Sequence, residues 1–260
     1  MKWLGVILAF SLSLAGAEPK FQSLDAIRTA ATLGNAEAQF LLGMHYVQGA
    51  NGVKKHLPTA AQWLTKAGQQ KHTQAAYYMA LMHEFGDGVE KSAAKAVDWY
   101  RIAAVQGHPT ALHNLGVAYD EGDGVKQDRT EALKWFRKAA DKGHDRSQYN
   151  LGIAYAEGDG VPKDIPQAAK LYRSSGIQGN VDAQLNYAVM VARGEGVAQN
   201  LPLAWAWMRA SALQGKRRRW KTCACLNATF LRLKSRRRSP PGKNWPRNSR
   251  PNGNGNAQKP

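Results

Sequence analysis

ALHNLGVAYDEGDGVKQDRTEALKWFRKAADKG, residues 111–143, is one copy of a unit that recurs along most of the 260-residue chain. Gly86-Asp87-Gly88, Gly122-Asp123-Gly124, Gly158-Asp159-Gly160 and Gly194-Glu195-Gly196 follow one another at a constant step of 36 residues. Trp63, Trp99, Trp135, Leu171 and Trp207 keep that step, as do Ala60, Ala96, Ala132, Ala168 and Ala204. A third series is Gly107, Gly143, Gly179 and Gly215. The earliest loop, Gly49-Ala50-Asn51-Gly52, holds one extra residue, so upstream positions step by 37. A fixed period between about 20 and 50 residues marks a stacked repeat array. The expected fold is therefore all-α, a right-handed α/α solenoid, which grows by stacking and has no single central core.

Each unit divides into two helices. The first carries a small residue (Ala38, Ala75, Ala111, Ser147, Ala183), then an apolar one four positions on (Leu42, Met79, Leu115, Leu151, Tyr187). A second small residue follows immediately (Gly43, Ala80, Gly116, Gly152, Ala188). Spacings of three and four put these on one helical face. A glycine inside a helix costs roughly 1 kcal/mol relative to alanine, so its recurrence implies close approach of a neighbouring helix. The G-D-G loop ends the first helix, because glycine accepts the left-handed conformation found at helix C-termini. The valine after it is expected to tuck under the pair. The second helix opens at Asp128 or Asp164, or with Pro166 or Pro202 in its first turn. It then buries Ala132, Trp135, Phe136, Ala139 and their equivalents.

Five full units are expected over 36–72, 73–108, 109–144, 145–180 and 181–215. Residues 18–35 hold a capping helix: Phe21 to Leu33 matches the second half of a unit whose first half is missing. Residues 1–17 read as a secretory signal. Lys2 supplies the basic start, Leu4 to Leu14 the apolar stretch, and Ala15-Gly16-Ala17 a small-residue cleavage site near Ala17. About 11 apolar residues fall short of the ~20 that span a bilayer. No membrane span is expected, and the mature chain is expected to be exported, periplasmic or secreted.

The order A-x-x-x-L-G-x-x-Y, then E-G-D-G-V, then A-x-x-W-[YF]-x-x-A-A-x-x-G, resembles the Sel-1-like repeat, a longer relative of the tetratricopeptide repeat. The resemblance covers about Ala36 to Gly215; the third and fourth copies match best, and the fifth lacks the Gly and Tyr of its first helix. It implies an α-solenoid that serves as an adaptor or scaffold for protein assemblies, often exported in bacteria. By resemblance to tetratricopeptide packing, the partner-facing positions lie on a concave first-helix face. They are Tyr77, His113 and Tyr149; Tyr78, Asn114, Asn150 and Asn186; and Glu121, Glu157 and Arg193. Asparagine at one register in three successive units could grip an extended peptide through paired amide bonds. It could equally bond locally between neighbouring units.

The net charge of +17 is unevenly placed. Residues 216–260 hold 14 of the 36 Lys and Arg and none of the 19 Asp and Glu, which leaves the remainder at only +3. Both cysteines, Cys223 and Cys225, lie in the same stretch, so no thiol staples or metal-binds the repeats. Two readings of this basic segment stand. A disordered tail could bind anionic polymer or a membrane surface by charge neutralisation, with nucleic acid the less expected partner in an exported chain. Alternatively, residues 216–260 are translated out of frame. Trp220-Lys221-Thr222-Cys223 requires TGG AAR ACN TGY, which read two bases on gives Glu, then Asn or Asp, then an apolar residue, as a further repeat would want.

Catalytic readings are weaker. His72, His108 and His144 recur at one register, but ligands one repeat apart cannot share a zinc ion that needs donors at about 2 Å; turn residues are expected. Asp87, Asp123, Asp159 and Glu195 form an acidic ladder, better explained by turn chemistry than by paired catalytic carboxylates. Neither a nucleophile elbow nor a zincin or phosphate-binding motif occurs. No cofactor, metal or catalytic residue is expected. The alternative classes are a hydrolase acting on cell-wall or β-lactam substrates, and a binder of anionic polymer through the basic tail. The cysteines of the β-lactam-binding branch of the family are absent from the repeats.

Overall fold

The computed structural model describes residue 21 and residues 23–214, and everything below concerns those residues. The signal segment 1–17 and the basic segment 216–260 lie outside them. Eleven helices follow one another without a strand among the described residues. They are α1 (Leu24–Thr32), α2 (Ala36–Gln48), α3 (Leu57–Gln69), α4 (Thr73–Phe85), α5 (Ala93–Val105), α6 (Pro109–Glu121), α7 (Arg129–Asp141), α8 (Asp145–Glu157), α9 (Ile165–Ile177), α10 (Val181–Arg193) and α11 (Leu201–Leu213). Each packs on its sequence neighbours, giving an α/α solenoid of helix pairs α2–α3 to α10–α11. None of these helices is long and apolar enough to cross a membrane.

The caps explain the uniform length. Asn35, His72, His108, His144 and Asn180 cap the first helices, each side chain accepting a backbone N–H three residues on. The histidines do this through Nδ1, an orienting role more specific than a generic turn residue. At the other end, Gly49, Gly86, Gly122, Gly158 and Gly194 take left-handed φ and terminate the same helices. The chain then folds back. The backbone N–H of His56, Ser92, Asp128, Asp164 and Asn200 donates to the carbonyl of Tyr46, His83, Tyr119, Tyr155 and Val191 respectively. One such bond per unit fixes where the second helix starts.

The helical glycines do what their recurrence implied. A Cβ on Gly116 would sit 2.6 Å from the Phe136 ring, and one on Gly152 would sit 2.8 Å from the Tyr172 ring. The large residue of the second helix thus occupies the space left by the first. The leading helix is shorter than Phe21–Leu33: Ser23 caps it, its Oγ accepting from Ala26 N at 3.1 Å, so the helix begins at Leu24. Ile27 and Ala31 pack against Ala38 and Leu42 of α2.

Candidate protein-binding face

Junctions between units are built by the histidine caps. The ring of His72 stacks on Phe40 at 4.6 Å, His108 on Tyr77 at 4.3 Å and His144 on His113 at 4.5 Å. At these three junctions the fifth position of the first helix therefore meets the cap of the next. This corrects the outward assignment of two residues. His113 is buried, its Nδ1 2.9 Å from Ser147 Oγ, and Tyr78 is buried with its ring 6.0 Å from Phe40. Tyr77 and Tyr149 are half-buried; Tyr77 serves the junction through His108, and Tyr149 faces Tyr172 at 5.9 Å. Burial, then the neighbouring His144 and Arg146, pushes His113 down to about 4, so its ring is neutral at pH 7. His108 and His144 are lowered too, chiefly by burial.

What remains open is a stripe. Asn114, Val117 and Glu121 on α6, Asn150, Ile153 and Glu157 on α8, and Asn186, Val189 and Arg193 on α10 are all half- or fully exposed. Within each helix they are spaced by three and four, so each triplet shares one face. The aliphatic member was missed in the sequence reading. Its signal was present, since Val117, Ile153 and Val189 keep the 36-residue step.

The asparagines divide. Asn114 bonds the Tyr100 hydroxyl of the preceding unit, and Asn186 bonds that of Tyr172. At the intervening register the preceding unit has Phe136, which offers no hydroxyl, and Asn150 has no hydrogen-bond partner among the described residues. Two of the three amides are thus local struts and one is open. Tyr172 is pushed up to about 12 and Tyr100 higher still, both mainly by burial, so both hydroxyls are neutral.

The loop acids also divide. Arg129 Nη1 stands 2.6 Å from Asp120 and its Nε 2.9 Å from Asp159, so the loop acid of the fourth unit is tied to the unit before it. Glu195 pairs with Arg193 at 3.5 Å. Asp123 makes no ion pair among the described residues. It borders a cleft of about 390 Å³ between the second and third units, with Glu84, Tyr100, Asn114 and Glu121 on its walls. Among the described residues no three His, Cys, Asp or Glu side chains converge as a metal site would require.

The Sel1 repeat model matches residues 36–72, 73–108, 109–144, 145–180 and 181–216. No curated protein matches the chain. Among solved structures, the chain is similar to a protective antigen present in uropathogenic Escherichia coli strains that displays an SLR fold. That match has a TM-score of 0.70 and 42% identity, covering 75% of this chain and 41% of the other. It is also similar to a Sel1 repeat protein from Oxalobacter formigenes, with a TM-score of 0.68 and 35% identity over 78% of this chain and 58% of the other. The chain spans less than two thirds of either relative.

Proposed function

The chain belongs to the Sel1 repeat family, and on that premise we propose that it is an exported scaffold that catalyses nothing and holds other proteins against its first-helix face. The observation that carries this reading is the stripe on α6, α8 and α10. An extended segment crossing these helices meets an amide, an aliphatic side chain and a charge at each step of 36 residues. Asn150 is the amide left free to bond a partner backbone, which needs both a donor and an acceptor from the side chain it meets. Export rests on residues 1–17, whose pattern is that of a cleaved leader.

The test is capture from envelope extract by the full chain, compared with a variant carrying Asn150→Ala, Ile153→Ala and Glu157→Ala. The reading expects one defined protein, lost from the variant while its helical circular dichroism is retained. Equal capture by both would move the site off this face, and no capture by either would reject the scaffold reading.

A further inference from the structure

Comparing equivalent clefts along the stack isolates one that keeps two acids but lacks the cation between them. Between the third and fourth units, Arg129 bridges two carboxylates, Asp120 at the end of α6 and Asp159 in the loop after α8. Thirty-six residues earlier the corresponding positions are Ala93, Glu84 and Asp123. Both acids are kept, and the arginine between them is replaced by a methyl group. The space the guanidinium fills at one junction is the cleft of about 390 Å³ at the other, and Glu84, Ala93 and Asp123 all line it.

We infer that this cleft takes an arginine side chain brought by a bound protein segment, its guanidinium bridging Glu84 and Asp123 as Arg129 bridges Asp120 and Asp159. The floor, with Ala96, Val97 and Ala118, is apolar and suits the three-carbon stem. The Tyr100 hydroxyl donates to Glu84 Oε2 and fixes that carboxylate. Glu121 adds a third negative charge at the rim. Lys91 also lines the cleft, but it forms no ion pair with any of these acids among the described residues. Planar, two-carboxylate recognition selects arginine over lysine, because only the guanidinium presents paired donors in a fixed fork. The cleft opens beside Asn114 and Val117, at one end of the exposed stripe, so the site deepens the protein-binding reading and rests on it.

The experiment titrates the full chain with a fluorescently labelled Gly-Arg-Gly tripeptide, and with the same peptide carrying neutral citrulline or lysine instead. Arginine is expected to bind about tenfold or more tightly than citrulline, and more tightly than lysine. Glu84→Gln and Asp123→Asn should each weaken binding about tenfold. Ala93→Arg supplies the guanidinium from within, and should abolish binding while raising the melting temperature. Equal affinity for arginine and citrulline, or binding unchanged in Ala93→Arg, overturns the proposal. Free arginine amide binding as tightly as the tripeptide overturns the protein-segment assignment in favour of a small guanidinium ligand. Failure of the titration while capture remains sensitive to the Asn150 variant rejects this site alone; loss of both rejects the scaffold reading beneath it.

Discussion

The imidazole Nδ1 of His113 lies 2.9 Å from the Ser147 hydroxyl, so a polar contact stands inside the junction between the third and fourth units. The same hydroxyl is 3.1 Å from Nδ1 of His144, whose ring stacks on His113. Because His113 is held down to about 4 against an ordinary value of 6.5, the unfolded chain binds a proton there at pH values where the folded chain does not. Stability from this group is fully present above about 6.5 and is lost as pH falls to about 4. The melting temperature should therefore drop across that window. The double variant His113→Tyr with Ser147→Ala, which reproduces the Tyr77 and Ala111 pair of the preceding junction, should flatten that slope. An unchanged slope, read by circular dichroism melts at successive pH values, would remove His113 as its source.

Two turn glycines separate conformational strain from steric exclusion. Gly124 and Gly143 both have positive φ, +75° and +85°. A Cβ on Gly124 would lie 2.4 Å from the Ala93 carbonyl carbon, whereas Gly143 has nothing within 4 Å. Gly143→Ala should cost roughly 1 kcal/mol, the strain of a left-handed alanine. Gly124→Ala should cost about 2–3 kcal/mol more, because backbone of the preceding unit must move. Urea unfolding of the two variants decides this, and equal losses would contradict the close approach.

The asparagine ladder should behave unequally. Asn114→Ala removes the second partner of the Tyr100 hydroxyl, which keeps its bond to Glu84, and is expected to cost roughly 1 kcal/mol. Asn150→Ala breaks no hydrogen bond among the described residues and should change stability by less than about 0.5 kcal/mol. Its effect should appear in partner capture instead. Matching stability losses for both would place Asn150 in a local bond as well.

Most of the fold was legible because a repeat prints its own register. Gly116 opposite Phe136 and Gly152 opposite Tyr172 are contacts within one unit, and helical periodicity with a conspicuous glycine was enough to anticipate them. The junctions were not legible in the same way. That His144 stacks on His113 depends on the rotation of one unit against the next, which no single-unit pattern encodes. The sequence therefore places His113 outward, whereas it is buried. The cleft beside Ala93 was in principle readable. It required comparing one column of the repeat, Ala93 against Arg129, for a missing residue rather than a recurring one.

The most direct test of the scaffold reading places a photo-crosslinking amino acid in the full chain, in cells, either at Asn150 on the first-helix stripe of the fourth unit or at Lys170 on the exposed side of its second helix. The account predicts a discrete protein adduct from position 150 and none from position 170. Adducts only from position 170, or from neither position, would contradict it.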